Sequence, residues 1–161
     1  MNQTRKLVLC GVFIAISVVF NSLVIIPVGP AKIAPVQHFM NVLSGVMLGP
    51  WYACAAAFVT SVIRNMMGTG SVFAFPGSMI GAFLAGFIWI RTRKLLPAAL
   101  GELFGTGILG AMLAALMALP FTGKEVALFG FIPSFFASSL VGSCIAFILL
   151  KAFQARGIIH D

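Results

Sequence analysis

Hydrophobic residues fill six segments of the chain, and short breaks rich in proline, glycine and basic residues separate them. The segments cover residues 7–26, 36–48, 51–63, 73–90, 97–119 and 126–153. A helix of about 20 apolar residues crosses the ~30 Å hydrocarbon core of a bilayer. The pattern predicts an all-α integral membrane protein with six transmembrane helices. The first segment is 20 residues long with no small-residue cleavage site before Pro27, which favours a retained helix over a signal peptide.

The second and third segments hold 13 residues each, and Gly49-Pro50 separates them as a tight turn. They form either two short helices or one interrupted span of 28 residues, which would give five crossings. Six crossings place both termini and residues 91–94 on one side, with seven of the ten basic residues. The positive-inside rule therefore favours six crossings with both termini in the cytoplasm. The basic residues left on the outer side are Lys32, Arg64 and Lys124.

The short second and third helices suggest where a ligand binds. A helix of this length covers about 20 Å, less than the hydrocarbon thickness, so the loops at 27–35 and 64–70 must enter the membrane. Non-helical backbone at that depth is tolerated only where protein buries it or where it lines a cavity. Short, interrupted segments point to the binding site in transporters. We therefore expect a cavity at the outer ends of these two helices, the alternative being that the helices extend beyond these bounds.

The composition agrees with a membrane protein and excludes other classes. The 161 residues are 61% hydrophobic and 8% charged, with a mean hydropathy of +1.13, whereas soluble domains carry about 25% charged residues. The net charge of +7 does not indicate nucleic acid, because the basic residues are not interleaved with aromatics on a polar face. Cys10, Cys54 and Cys144 lie in apolar segments without a metal-binding pair. We expect one transmembrane domain over residues 1–161, with no cofactor and no metal site.

Small residues recur at every fourth position in the last three segments. The runs are Gly77-xxx-Gly81-xxx-Ala85, Thr106-xxx-Gly110-xxx-Ala114 and Ser138-xxx-Gly142-xxx-Ala146. Such runs let helices approach closely within a bilayer, so they predict tight packing of helices four, five and six. Helix one carries a similar face, Gly11-xxx-Ala15, for which packing within the chain is the simplest role.

Polar side chains are costly inside a membrane, so each is a candidate for function. They concentrate at the outer start of helix two, the outer end of helix three and the loop that follows. The candidate ligand-binding residues are Gln37, His38, Asn41, Arg64, Asn65, Thr69, Ser71, Phe75 and Ser78. Single members also have structural alternatives: His38 as an interfacial histidine, Arg64 reaching lipid headgroups and Asn65 capping a helix. The convergence of two loops and two helix ends favours a pocket.

Glu102 is the only acidic residue inside an apolar segment. The predicted topology places it about one and a half turns from the cytoplasmic end of helix five. There we expect it to lie near the membrane interface or to pair with Arg91, Arg93 or Lys94. A contact with a partner protein or with a ligand is the alternative.

Motifs for energy conversion and catalysis are missing from the sequence. The pair Gly123-Lys124 is followed by Glu125, so it is not a Walker A motif. Two histidines and three acidic residues leave few catalytic constellations. The absence of a row of carboxylates argues against an autonomous ion-coupled carrier. We expect a protein that is not an enzyme and that has no energy source of its own.

Several short motifs resemble a known family. The sequence PVQHFMN at 35–41, which follows a proline-rich loop, and LGP at 48–50 resemble the substrate-binding S-components of energy-coupling factor vitamin transporters. The stretch with RN at 64–65, GTGS at 68–71 and AFPGSM at 74–79 is similar to the ThiW-type S-component in particular.

The resemblance implies a small six-helix protein of a prokaryotic cytoplasmic membrane that captures a vitamin or precursor from outside. Such proteins dock on a transmembrane coupling protein and two ATPase subunits, and they are thought to reorient in the membrane with the ligand enclosed. ThiW-type members are assigned to hydroxyethylthiazole, the thiazole precursor of thiamine. The family contacts the coupling protein through an Ala-xxx-Ala face on helix one, and the corresponding residues here are Gly11 and Ala15, an imperfect match.

Other functions stay open on the sequence alone. The first is an autonomous secondary carrier or exporter, which would transport without an ATPase. A second is an S-component for another vitamin or precursor, such as thiamine. An intramembrane enzyme that uses His38 and Arg64, or a purely structural subunit without a ligand, completes the alternatives.

Overall fold

A computed structural model describes residues 2–24, 26–28, 31–122 and 124–159, with side chains described for 2–24, 33–120 and 131–159. Lys32 and Lys124, which entered the charge argument, lie outside the described side chains. The elements are α1 (Gln3–Leu23), β1 (Ile26–Val28), β2 (Ala31–Ile33), α2 (Pro35–Leu48), α3 (Pro50–Met66), α4 (Phe75–Thr92), α5 (Leu95–Phe104), α6 (Ala111–Thr122) and α7 (Lys124–Ala155). A 3-10 turn at Val72–Ala74 precedes α4, and a π-helical segment at Gly105–Gly110 joins α5 to α6.

The helical membrane architecture predicted from the sequence is confirmed. The backbone stays right-handed through the π segment, so α5 and α6 form one continuous rod, and the described part of the chain contains six helical rods. Four described stretches are long and apolar enough to cross a membrane. They are Gln3–Leu23, Val72–Thr92, Leu95–Pro120 and Phe131–Ala155. The π segment was not predicted, and such segments are frequent at functional sites.

The second and third segments form two separate helices, α2 of 14 residues and α3 of 17. Gly49 interrupts them with a φ of +91°, which favours glycine, and Pro50 begins α3 at a position where a missing N–H costs nothing. Nε2 of Gln37, near the start of α2, lies 3.0 Å from Oγ of Ser61, near the end of α3. The two helices are therefore antiparallel, which excludes one interrupted span.

The connection between α1 and α2 is more regular than the loop expected there. It forms an antiparallel hairpin of two three-residue strands, with Ile26 opposite Ile33, Pro27 opposite Lys32 and Val28 opposite Ala31. Pairing lets backbone N–H and C=O groups satisfy each other, which matters where water is scarce. The first helix is also displaced from its predicted bounds, because it ends at Leu23 and leaves the next residues to the hairpin.

Glycines bring the later helices into backbone contact, as their spacing predicted. A Cβ atom on Gly110 would overlap the Cα atom of Gly77, so the π segment lies directly against α4. A Cβ atom on Gly142 would lie 2.7 Å from the Cβ atom of His38, so α7 lies directly against α2. These approaches fix α2, α4, α5 and α7 relative to one another around the start of α2.

Basic side chains gather at one end of the bundle, which we call the basic end. Nζ of Lys6 lies 5.6 Å from the centre of the Tyr52 ring, and Cζ of Arg93 lies 5.9 Å from that of Trp89. Tyr52 begins α3 and Trp89 ends α4, so both contacts lie away from Gln37 and Ser61. An apolar core that includes Trp89, Leu95 and Leu150 fills this half of the protein.

Candidate ligand-binding cavity

A polar cavity of about 320 Å³ lies at the end of the bundle opposite the basic end. Ligand pockets typically measure about 300–1,000 Å³, so this one suits a small ligand. Six of the nine predicted residues line it, namely Gln37, His38, Arg64, Thr69, Ser71 and Ser78. The remaining lining residues are Ala34, Gly68, Gly70, Ala74, Thr106, Phe135 and Ser138. The loop after α3 thus meets the start of α2, as the short helices predicted.

Arg64 is buried in the cavity wall, with 7% of its surface exposed. Its Nη1 donates to Oε1 of Gln37, and its Nη2 donates to the backbone oxygen of Thr69 at 2.9 Å. Its Nε is buried without a hydrogen-bond partner among the described residues. This burial contradicts the alternative in which the side chain reaches lipid headgroups. The guanidinium is instead a fixed cation held by neutral acceptors.

The loop after α3 is tied to the backbone of Arg64. The N–H groups of Thr69 and Gly70 both donate to the Arg64 carbonyl at 2.9 Å, and Gly68 turns the chain with a φ of +71°. A Cβ atom on Gly70 would lie 2.9 Å from Nδ2 of Asn65, so only glycine fits without displacement. The glycines of the GTGS motif therefore fold the loop back over the end of α3.

Gln37, Ser78 and Asn41 continue the polar wall inward. Nε2 of Gln37 donates to Oγ of Ser78 at 2.6 Å, and Nδ2 of Asn41 donates to the Ser78 carbonyl at 3.2 Å. Nδ2 of Asn41 also lies 3.3 Å from Oε1 of Glu102. A hydrogen-bonded chain of side chains thus leads from Arg64 to Glu102. Asn41 lies behind the cavity wall and supports Ser78 from below.

The prediction that Glu102 lies near the interface or pairs with Arg91, Arg93 or Lys94 is wrong. Its carboxylate is fully buried, with 0% exposed, and Oε1 contacts Nδ1 of His38 at 3.0 Å. The reason is that α5 begins at Leu95, which places Glu102 about two turns inside the bundle, where α5 passes between α2 and α7. The other donors to the carboxylate are Asn41, Thr106, Ser139 and Ser143.

Asn65 and Phe75 lie outside the cavity lining. Nδ2 of Asn65 donates to the Ser61 carbonyl within α3 at 2.8 Å. The Phe75 ring packs edge-on against Phe58, with ring centres 5.9 Å apart. The apolar wall comes instead from Phe135 of α7.

Sequence reasoning missed Glu102, Thr106, Phe135 and Ser138. A lone acid in an apolar span was a sufficient signal for Glu102, since such residues are functional candidates by default. Thr106 and Ser138 were interpreted only as small packing residues, although Oγ1 of Thr106 lies 2.8 Å from Oε1 of Glu102. The α7 sequence holds no feature that separates Phe135 from its neighbouring phenylalanines.

Gly11 and Ala15 lie exposed on the outer face of α1. A Cβ atom on Gly11 would meet no atom within 4 Å. Packing within the chain, the simplest role for this face, is therefore excluded, and the small residues are accessible from outside. Large apolar residues beside them are exposed too, Val12 by 44% and Val8 by 61%.

These features define a multi-pass membrane protein with a ligand-sized polar cavity at one end of the helical bundle. A family model described as "Thiamine-precursor transporter protein (ThiW)" matches residues 7–156. The chain therefore belongs to the ThiW family of thiamine-precursor transporters, as the resemblance of its motifs indicated.

A solved structure shows the same fold. It is the S-component for biotin from an ECF-type (energy-coupling factor) ABC transporter, with a TM-score of 0.67 and 17% identity. The alignment covers 94% of this chain and 95% of that one. No curated protein matches the chain significantly. Family and fold together identify a vitamin-precursor uptake protein and point to a transport subunit rather than an enzyme.

Proposed function

We propose that the protein captures hydroxyethylthiazole for an ATP-driven importer in the cytoplasmic membrane of a prokaryote. The ligand enters the cavity from outside. A transmembrane coupling protein and two ATPase subunits then drive the reorientation that delivers it. The observation that carries the proposal is the polar cavity, walled by Gln37, His38 and Arg64, in a chain of the ThiW family.

The cavity chemistry suits a small heteroaromatic alcohol. A thiazole ring nitrogen accepts a hydrogen bond, and Arg64 supplies donors that only neutral acceptors hold in the protein. Its buried, unpaired Nε marks a wall that lacks an acceptor, and buried polar atoms are usually paired. Phe135 offers an apolar face for the ring. A ligand without matching polar groups would leave these side chains unpaired, which is the basis of selectivity.

The distribution of charge supports an outward-facing cavity. Lys6, Arg93 and Lys151 lie at the basic end, where each cation stands over an aromatic ring. Basic residues favour the cytoplasmic side of a membrane. We therefore orient the basic end and both termini toward the cytoplasm, which exposes the cavity to the outside.

The test is a calorimetric and thermal-shift titration of the purified protein in detergent against hydroxyethylthiazole, thiamine and the pyrimidine precursor. Submicromolar binding of the thiazole alone supports the proposal. Tight binding of thiamine or the pyrimidine would keep the class and replace the ligand. If none of the three binds, the thiazole assignment is wrong. Uptake into vesicles without any ATPase would instead favour the autonomous carrier.

Alanine at His38 or Asn41 is expected to weaken ligand binding at least tenfold. A buried hydrogen bond lost on one side costs about 1–3 kcal/mol, and 1.4 kcal/mol corresponds to a factor of ten. Isothermal calorimetry of each variant measures the change. Ser44→Ala is the matched control, because its buried hydroxyl bonds the Met40 carbonyl at 2.7 Å, away from the cavity. Unchanged affinity in both variants would remove these residues from the site.

Leucine at Gly11 or Ala15 is expected to block transport while ligand affinity stays unchanged. A large side chain would prevent close approach of a partner helix, whereas the cavity is distant from this face. The measurements are uptake in proteoliposomes that hold the whole importer and co-purification with the coupling protein. Val8→Leu, at an exposed position of the same helix, is the control. Normal uptake in both leucine variants would place the docking surface elsewhere.

A further inference from the structure

His38 and Glu102 form a hydrogen-bonded pair at the inner wall of the cavity. Nδ1 of His38 lies 3.0 Å from Oε1 of Glu102, with 12% and 0% of the two side chains exposed. Oε1 also contacts Nδ2 of Asn41 at 3.3 Å, a group that can only donate. Oε1 is therefore an acceptor, and the hydrogen of the His38 contact sits on Nδ1. Nε2 has no hydrogen-bond partner in the described part of the chain.

The charges around the pair favour a neutral imidazole. Arg64 is a permanent cation in the same cavity wall, and Glu102 supplies one carboxylate. With neutral His38 these two charges balance, whereas an imidazolium would add an uncompensated charge in a site shielded from water. The cavity residues from the other elements packed around His38 do not titrate. They are Ser78 from α4, Thr106 from the π segment, and Phe135 and Ser138 from α7.

We propose that Glu102 is a positioning residue that holds His38 as the neutral Nδ1–H tautomer, so that Nε2 presents a lone pair to the cavity. The hydrogen bond at one ring nitrogen sets the state of the other. The cavity therefore selects a ligand that brings an O–H or N–H donor to this wall. The choice of ligand rests on the proposed function. In hydroxyethylthiazole the donor is the hydroxyl, because the ring nitrogen only accepts and cannot bond Nε2.

Nitrogen NMR of the full-length protein in detergent tests the tautomer directly. The chain contains two histidines, His38 and His160, so ¹⁵N-histidine labelling gives two sets of ring signals, and His160→Gln assigns them. At neutral pH we expect His38 to show a protonated Nδ1 and an unprotonated Nε2. A protonated Nε2, alone or together with Nδ1, would overturn the proposal. This measurement needs no ligand, so it decides even where no thiazole binds and the proposed function fails.

Two variants test the role of Glu102. Glu102→Gln should keep the Nδ1–H signal, because the amide oxygen accepts the same hydrogen, whereas an ion pair would lose it. Ser143→Ala removes one hydroxyl, 2.8 Å from Oε2 of Glu102, and leaves the contact with His38, so it is the matched control. Loss of the Nδ1–H signal in Glu102→Gln but not in Ser143→Ala would show that hydrogen bonding alone does not hold the tautomer.

A pair of ligands tests the selection. Calorimetry compares hydroxyethylthiazole with its methyl ether, which keeps the oxygen as an acceptor but cannot donate. In the wild type we expect the alcohol to bind at least about tenfold tighter, and in His38→Ala we expect this preference to fall to about one. Equal binding in the wild type, or an undiminished preference in His38→Ala, would contradict selection by Nε2.

Discussion

Replacing Glu102 with alanine is expected to destabilise the folded protein by about 3–5 kcal/mol, the usual cost of removing one member of a buried pair. The carboxylate accepts hydrogen bonds from His38, Asn41 and Thr106 at Oε1 and from Ser139 and Ser143 at Oε2. Alanine would leave these groups unpaired in a water-poor interior, where unsatisfied polar atoms are costly. Because the donors come from α2, the π segment and α7, the loss would weaken the packing of three helical rods at once.

Denaturant-induced unfolding in mixed micelles measures this change in the free energy of unfolding. Glu102→Gln keeps an acceptor oxygen and should cost much less. Ser44→Ala, which removes a buried hydroxyl from α2 without touching the network, controls for the loss of a single hydrogen bond. An alanine variant within about 1 kcal/mol of the wild type would mean that the carboxylate is dispensable, since one hydrogen bond contributes that much.

The helices could be predicted because hydropathy and helix-breaking residues act locally. Gly49 and Pro50 lie where α2 ends and α3 begins, and the small-residue runs correctly predicted which faces touch. The hairpin at 26–33 was not predicted, because its strands are three residues long and pair only through the backbone. The π segment was missed too, since it depends on how Gly105 and Gly110 meet α4.

The cavity was partly predictable for the same reason. Gln37, His38 and Arg64 lie at helix ends that the sequence marks, and the turn at Gly49 brings those ends together. Glu102 was misplaced because depth along one helix was used without the neighbouring helices. Its partners Ser139 and Ser143 are far away in sequence and look like packing residues, so only the tertiary structure reveals the carboxylate as the centre of the network.

The buried polar network explains how stability and recognition are joined in this protein. A carboxylate inside a membrane is expensive, and here each oxygen is satisfied by protein donors. The same contacts orient His38 toward the cavity and hold Asn41 against Ser78. Arg64, at the other end of the chain of hydrogen bonds, keeps an unpaired Nε. Folding thus supplies most of the hydrogen bonds of the site, and the remaining polar capacity is left for a ligand.

Alanine at Gly110 is expected to destabilise the protein by about 1–3 kcal/mol, the usual cost of overpacking a tight interface, and to weaken ligand binding. The added methyl group would overlap the Cα atom of Gly77, a backbone atom that cannot rotate away, so the π segment and α4 must separate. Ser78 follows Gly77, and Thr106 lies in the π segment, so the separation would widen the cavity between them. The measurements are the free energy of unfolding in mixed micelles and the affinity for hydroxyethylthiazole. Gly11→Ala is the matched control for stability, because its methyl group would meet no atom within 4 Å, and alanine is the better helix former by up to about 1 kcal/mol. If Gly110→Ala were as stable as Gly11→Ala, the two backbones would not be in contact as described, and the register of the π segment against α4 would have to be revised.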